Sequence, residues 1–216
     1  MRLILLSLTL IMYACTASSP AEDPPDAPVV EEVEDPSEPE DSSSEDSAVE
    51  EQTPSPITWT DCGGMLGDHP CNFIYRDQTD TEWNLYDHYG SIIILDFSAM
   101  WCGPCQSAAN NIASHMASYG AQDVIWVTVL LQDESRNRDV NLADVQSWAS
   151  TFGIPADSPV LQGDYDVVDT TAVDGIPVVS WPTIVVIDRE MVIYQGVNGW
   201  SQAMIEGWVD ELLALD

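Results

Sequence analysis

The chain has no lysine. Its 216 residues carry five arginines against 37 acidic side chains, for a formal net charge of −32. Cations this scarce exclude nucleic-acid binding by phosphate neutralisation and electrostatic attachment to an anionic membrane surface. A membrane-spanning run is missing as well. The apolar stretch from Leu3 to Ala14 is only about a dozen residues, where a spanning helix needs roughly 20. There is no phosphate loop, no dinucleotide fingerprint and no internal repeat. His69, His88 and His115 show no metal-ligand spacing and are expected in loops or at the solvent face. Asp164 to Asp169 lacks the glycine and distal glutamate of a calcium loop and reads as a solvated face. No metal and no organic cofactor is expected, so the chemistry has to come from side chains.

The acid is unevenly spread. Residues 16–56 hold 14 carboxylates and no cation, among Pro and Ser, with too little apolar surface to offset the entropy of ordering. They read as a disordered tether that reaches roughly 35–40 Å as a flexible coil. Residues 57–216 keep 23 acids and four arginines, a net −19. With 45% hydrophobic residues overall, this part is long enough to bury a core. The expected division is therefore a signal over 1–14, a tether over 15–56 and one folded domain over 57–216.

Met1 and Arg2, the apolar run and a small residue before Cys15 fit an export signal. The Cys directly after Ala14 resembles a bacterial lipoprotein signal, which implies lipidation of Cys15 as the mature N-terminus. Thr16 after it implies sorting to the outer membrane, facing the periplasm or cell exterior. Lipidation of Cys15 leaves Cys62, Cys71, Cys102 and Cys105, two natural pairs.

Ile92–Phe97, Val124–Leu131 and Thr183–Ile187 are continuous β-branched runs, the pattern of strands buried on both faces. Ala108, Ala109, Ile112, Ala113, Met116 and Tyr119 share one helical face between the first two. Asn141 caps a helix with Asp144 in its first turn, and Gly153 to Pro155 stops it near Phe152. Met191–Gln195 follows the third strand as an antiparallel partner. Ser201 opens a last helix that buries Met204, Ile205, Trp208, Leu212 and Leu213. Phe73–Tyr75 and Trp83–Leu85 suggest an extra N-terminal hairpin. The order β-α-β-α-β-β-α predicts an α/β three-layer sandwich, a mixed sheet with helices on both faces.

Trp101, Cys102, Gly103, Pro104 and Cys105 fall between the first strand and its helix. There Cys102 meets free backbone N–H groups that favour a thiolate, and Pro104 suits the first turn. Two intervening residues let the sulfurs meet across one turn, so a disulfide can open and close with little backbone movement.

The segment Asp96–Cys105, the triad Trp181, Pro182 and Thr183 before a strand, and Asp188 with Arg189 in the following turn resemble the thioredoxin superfamily. The likeness is greatest to its TlpA/ResA-like, redoxin-type envelope branch, over roughly 69–215. The resemblance implies an oxidoreductase in which Cys102 is the exposed nucleophile and Cys105 the resolving thiol. Pro182 is then the cis-proline where an extended substrate pairs, with Pro177 as its rival. Trp101, Gly103, Pro104 and Trp181 would line the substrate surface. Asp96, inside an apolar strand, should have a raised pKa and could exchange a proton with Cys105; the alternative is a partly solvated strand residue. Gln106 stands where a cation is common, the buried lysine is absent, and Ser98 replaces an aromatic. With no cation beside the motif, Cys102 should be a less acidic thiol.

Cys62 and Cys71 close a short loop outside the core. In an oxidising envelope the pair reads as a structural disulfide that contributes roughly 2.5–3 kcal/mol through chain entropy. A redox relay to Cys102/Cys105 and a four-cysteine zinc site are the alternatives, the second poorly served by the spacing. The activity implied is protein-disulfide reduction in the bacterial envelope. A peroxide-reducing redoxin and a tethered binding module without turnover stand as alternatives. Expected partners are envelope proteins with disulfides, a thiol electron donor and a membrane reached by the lipid anchor, with the protein a monomer.

Overall fold

The structure is a computed structural model that describes residues 56–136 and 138–215. Cys15, the signal and the tether lie outside the described residues. Ten regular elements follow in order: β1 Ile74–Arg76, β2 Glu82–Asn84, β3 Ile92–Ala99, α1 Gly103–Tyr119, β4 Val124–Gln132, α2 Leu142–Phe152, β5 Val160–Gln162, β6 Thr183–Ile187, β7 Ile193–Asn198 and α3 Gln202–Leu213. β1 and β2 form the expected hairpin, shifted by about one residue. The other five strands form a mixed sheet in the order β5-β4-β3-β6-β7. β3 runs parallel to β4 and antiparallel to β6, while β5 is parallel to β4 and β7 antiparallel to β6. Among the described residues no helix is long and apolar enough to cross a membrane.

β5 was absent from the sequence-based order. It has three residues, too few for periodicity to register, and it exists because Val160 to Gln162 pair with Thr128 to Leu130.

Alternation along the strands sends two sets of side chains to two cores. On one face Ile92 and Ile94 join Trp126, Ile184 and Val186 beneath α1 and α3. Further along that face Leu130 and Val160 meet Val145 and Trp148 of α2, together with Ala109 and Cys105 of α1. On the opposite face Ile93, Leu95 and Phe97 pack with Val129, Val185 and Ile187 against Trp83, Leu85, Val167 and Ile176.

All three α-helices thus share one side. The second outer layer is built from the hairpin, the 3-10 turns Leu85–His88 and Tyr165–Val167, and the 163–182 connection. The helices expected on both faces are thus α-helices on one side and short 3-10 helices on the other. Two right-handed crossovers that advance the same way across the sheet, β3-α1-β4 and β4-α2-β5, must put both helices on one side.

Helix faces need two further corrections. On α1 the buried stripe is Cys105, Ala108, Ala109, Ile112, His115 and Met116. Ala113 points outward, and His115, three residues after Ile112, takes the inner place. It is 3% exposed and edge-on to the Trp126 ring at 5.1 Å between centroids, not at the solvent face. Burial lowers its pKa to about 4. On α3 the buried residues are Ile205, Val209 and Leu212, whereas Met204 is exposed.

α2 shows how the sequence sets an element's limits. The Asn141 side chain accepts from Ala143 N at 2.9 Å and Asp144 N at 3.2 Å, and the Asp144 carboxylate accepts from Asn141 N at 2.9 Å. This reciprocal box satisfies N–H groups that a helix start leaves free. Gly153 ends the helix at φ +60°, a left-handed conformation that glycine adopts without steric cost. Replacing Asn141 with Ala should therefore lower the unfolding free energy by about 1 kcal/mol. Urea denaturation checks this, and an unchanged midpoint would remove the box from the account of α2.

Candidate active site

The β3 chain leaves the sheet at Ala99 and turns at once into α1. Cys102 is the N-cap residue, with extended backbone (φ −84°, ψ 114°), and Pro104 lies in the first turn. The Cys105 N–H donates to Cys102 Sγ at 3.2 Å. Cys102 and Cys105 are joined in a disulfide, their Cα atoms 5.2 Å apart. In the reduced molecule the same N–H and the helix N-terminus would favour a thiolate on Cys102 over a thiol.

Accessibility differs from the sequence expectation. Cys102 is only 3% exposed and Cys105 is fully buried. Trp101 and Trp181, both partly buried, pack on the cluster that contains the two sulfurs. The disulfide is therefore largely covered rather than an open group. Trp101 is held in place by its Nε1–H, which donates to Gln132 Oε1 at 2.9 Å. Gln106, where a cation was looked for, donates instead to the Met100 carbonyl at 2.9 Å and braces the turn.

The Trp181–Pro182 bond is cis. Pro182 is buried, and its carbonyl accepts from Gly199 N at 2.7 Å. Thr183 Oγ1 lies 2.8 Å from the Ser180 carbonyl and 2.9 Å from Asn198 Oδ1, so both sides of the loop are tied down. Pro177 lies elsewhere, against Gly64, Met65 and Ile176.

Asp96 sits in β3 on the face that carries α1. At 1% exposure it is a buried carboxyl, not a partly solvated one. Ser98 Oγ donates to Asp96 Oδ1 at 2.7 Å. Oδ2 has no hydrogen-bond partner among the described residues, nor does the hydroxyl of Thr128, its cross-strand neighbour. Burial raises the Asp96 pKa from 3.8 to about 7, moderated by the Ser98 hydroxyl and the Trp126 indole. Ser98 is thus the donor that supports this carboxyl.

The expected Cys62–Cys71 disulfide is present, with Cα atoms 4.8 Å apart. It closes the N-terminal loop on itself, and hydrogen bonds from within that loop hold it to the rest of the domain. Gly64 N donates to Ala172 O at 2.9 Å, and Gly67 and Asp68 exchange hydrogen bonds with Ile193 on edge strand β7. His69 Nδ1 lies 2.8 Å from the Met191 carbonyl, and its ring stacks on Trp59. The residues around this pair, among them Asp68, His69 and Ala172, do not enter the cluster around Cys102.

One member of the site was not visible in the sequence. Arg136, from the β4–α2 loop, lays its guanidinium 4.2 Å from the centroid of the Trp101 ring. The motif has no cation beside it in the chain, but the fold supplies one. No local signal marks Arg136, which stands among polar residues 31 positions after Cys105.

Comparison with known proteins agrees with this geometry. Residues 66–195 match the AhpC/TSA family. A protein from Chlorobium tepidum assigned as thiol:disulfide interchange protein DsbE is 25% identical in sequence. It superposes with a TM-score of 0.54, covering 69% of this chain and 99% of that one. A DsbF homologue from Corynebacterium diphtheriae shares the fold at 18% identity, with a TM-score of 0.54 and coverage of 69% of this chain and 87% of the other. Thioredoxin from Coprinus comatus is 38% identical over 48 residues, 22% of this chain and 45% of that protein. Thioredoxin-1 from Caenorhabditis elegans is 48% identical over 42 residues, 18% of this chain and 36% of that protein. The chain thus spans less than half the length of these two curated relatives.

The raised Asp96 pKa has a consequence for stability. Between about pH 4 and pH 7 the native state keeps a proton that the unfolded state has lost, so this group's contribution falls as pH rises and stays low above 7. Asp96→Asn removes that dependence. Its stability relative to wild type should climb across the same window by roughly 3–4 kcal/mol. Urea unfolding at a series of pH values checks this; a difference that does not change with pH would show that Asp96 is not held protonated by burial.

Proposed function

This chain is a member of the AhpC/TSA family, and on that footing we propose that it is a protein-disulfide reductase of the bacterial cell envelope. The observation that carries the reading is the Cys102–Cys105 disulfide at the N-terminus of α1, beside the cis Trp181–Pro182 bond.

In the reaction proposed, the Cys102 thiolate attacks one sulfur of a substrate disulfide. A Cys102–substrate disulfide forms, and the second substrate sulfur leaves as a thiolate and is protonated. Cys105 gives up its proton, for which the Asp96 carboxylate is the proposed acceptor. The Cys105 thiolate then attacks Cys102 Sγ, closing the internal disulfide and releasing the first substrate sulfur. Two electrons pass from the dithiol to the substrate, and a thiol donor restores the dithiol. A carboxyl that titrates near 7 can take and return a proton at neutral pH, which is the support for giving Asp96 this place. Trp101, Gly103, Pro104, Trp181 and Pro182 are the proposed substrate surface. The Cys62–Cys71 pair is proposed as structural, because it closes the loop whose backbone bonds to β7 and to residue 172.

The location belongs to the same proposal. Lipidated Cys15 and the acidic segment 15–56 would hold a monomeric domain on a short leash from the membrane, with the outer membrane preferred. Radiolabelled palmitate should enter the wild type and be absent from Cys15→Ser; label that survives the substitution would refute the anchor.

A second reading, suggested by the AhpC/TSA match, makes Cys102 a peroxide-reducing thiol. Hydrogen peroxide consumption that exceeds that of Cys102→Ser would favour it. Insulin reduction with dithiothreitol tests the first reading. Cys102→Ala should fall to the uncatalysed rate, while Cys105→Ser should accumulate a mixed disulfide visible on non-reducing gels. A folded Cys102→Ala protein as active as wild type would leave only a binding module.

A further inference from the structure

The folded part carries four arginines, and three of them are engaged with oxygen acceptors. Arg76 pairs with Asp80 at 2.9 Å. Arg138 Nε donates to Asp133 Oδ2 at 2.7 Å, and its Nη2 lies 3.6 Å from Asp144. Arg189 donates to the Gly90 and Gln122 carbonyls. Arg136 is exposed, and no carboxylate of the described residues forms an ion pair with it. Its side chain is instead seated on the Trp101 ring.

That seat is built by the loop. Asp133, 3% exposed, accepts from Ser135 N at 3.0 Å and Ser135 Oγ at 2.7 Å through Oδ1, while Arg138 satisfies Oδ2. The turn closes with Arg136 N donating to the Asp133 carbonyl at 3.3 Å. Arg136 itself is held at φ +67°, a left-handed conformation that costs an L-residue free energy. Trp101, beneath it, is fixed by Gln132 and directly precedes Cys102. A buried acid, a strained residue and a braced indole thus combine to present one guanidinium on the ring of the residue that precedes Cys102.

We propose that Arg136, seated on Trp101, is a specificity-determining residue that receives an acidic side chain flanking the disulfide cysteine of the protein substrate. This rests on the disulfide-reductase reading. The ring face holds the guanidinium by its quadrupole, and the N–H groups around the guanidinium edge are left for a carboxylate, which they fit in a fork. The surrounding domain has a net charge of −19 and repels acidic partners in general. Arg136 offsets that repulsion at one position only, so it selects for where the acid lies and not for an acidic partner overall.

The test uses the mature full-length protein and three disulfide-linked peptides that differ at one residue next to the cysteine: Glu, Gln or Lys. The quantity read is the ratio of kcat/KM for the Glu peptide to that for the Gln peptide; the general field of the domain acts on the Glu charge in every variant, and so drops out when a variant's ratio is divided by that of wild type. This ratio should fall at least threefold in R136Q, fall less in R136K, which keeps the charge but not the fork or the seat, and give way to a preference for Lys in R136E. An equal change for all three peptides would overturn the proposal, because it would mean that Arg136 acts on the Cys102 thiolate and not on the substrate. Ratios that R136Q and R136E leave unchanged would overturn it too. If wild type reduces none of the peptides and no insulin, the reductase reading falls and this proposal with it.

Discussion

β3 lies between a parallel and an antiparallel neighbour, and that position fixes where everything chemical can be. Its eight residues are buried throughout, and its C-terminal end hands the chain straight to Cys102. Because β4 runs parallel to it, the β4–α2 loop with Asp133 and Arg136 emerges at the same end of the sheet. Because β6 runs antiparallel, that strand begins there, just after Trp181 and Pro182. Three segments far apart in sequence therefore converge without any long excursion of the chain. Each is anchored by hydrogen bonds outside the disulfide itself: Trp101 to Gln132, Thr183 to Asn198, and Asp133 to Ser135 and Arg138.

The same strand carries a costly residue in the core. A carboxyl buried with one oxygen unpartnered is expensive, and the molecule limits that expense by keeping Asp96 protonated near neutral pH. Ser98 reaches the other oxygen and so serves the acid two residues before it. His115 follows the same rule with the opposite sign: burial holds it neutral. On the surface, by contrast, charge is overwhelmingly negative, and the few cations are placed with purpose. Arg138 neutralises the buried Asp133 that shapes the loop, and that loop in turn sets Arg136 on Trp101.

Much of the architecture was readable in the chain. β6 falls where its apolar run predicted, β3 and β4 extend theirs by one or two residues, and α2 has the expected limits because Asn141 and Gly153 act locally. The Cys102 motif was readable for the same reason, since a strand, a two-residue spacing and a first-turn proline are near neighbours. What was missed depended on distant partners. β5 is a strand only because β4 offers an open edge. His115 is buried because it completes a stripe that an apolar alphabet overlooks. The layer opposite the helices is a hairpin and 3-10 turns because the crossovers spend both early helices on one side. The 3% exposure of Cys102 reflects packing by residues, Trp181 among them, that come together only in the folded chain.

Composition by itself determined an acid-rich chain with no lysine, and the local pattern determined the sheet, the helices and the dithiol turn. Those are properties of residues within a few positions of one another, where periodicity, capping and proline geometry act. Tertiary structure alone decided that the dithiol turn is not without a cation, that Cys102 is covered, and that His115 faces the Trp126 ring. Each of these is settled by strand order, which sets what faces a side chain across the sheet or across a loop, and strand order leaves no mark on the residues that it brings together.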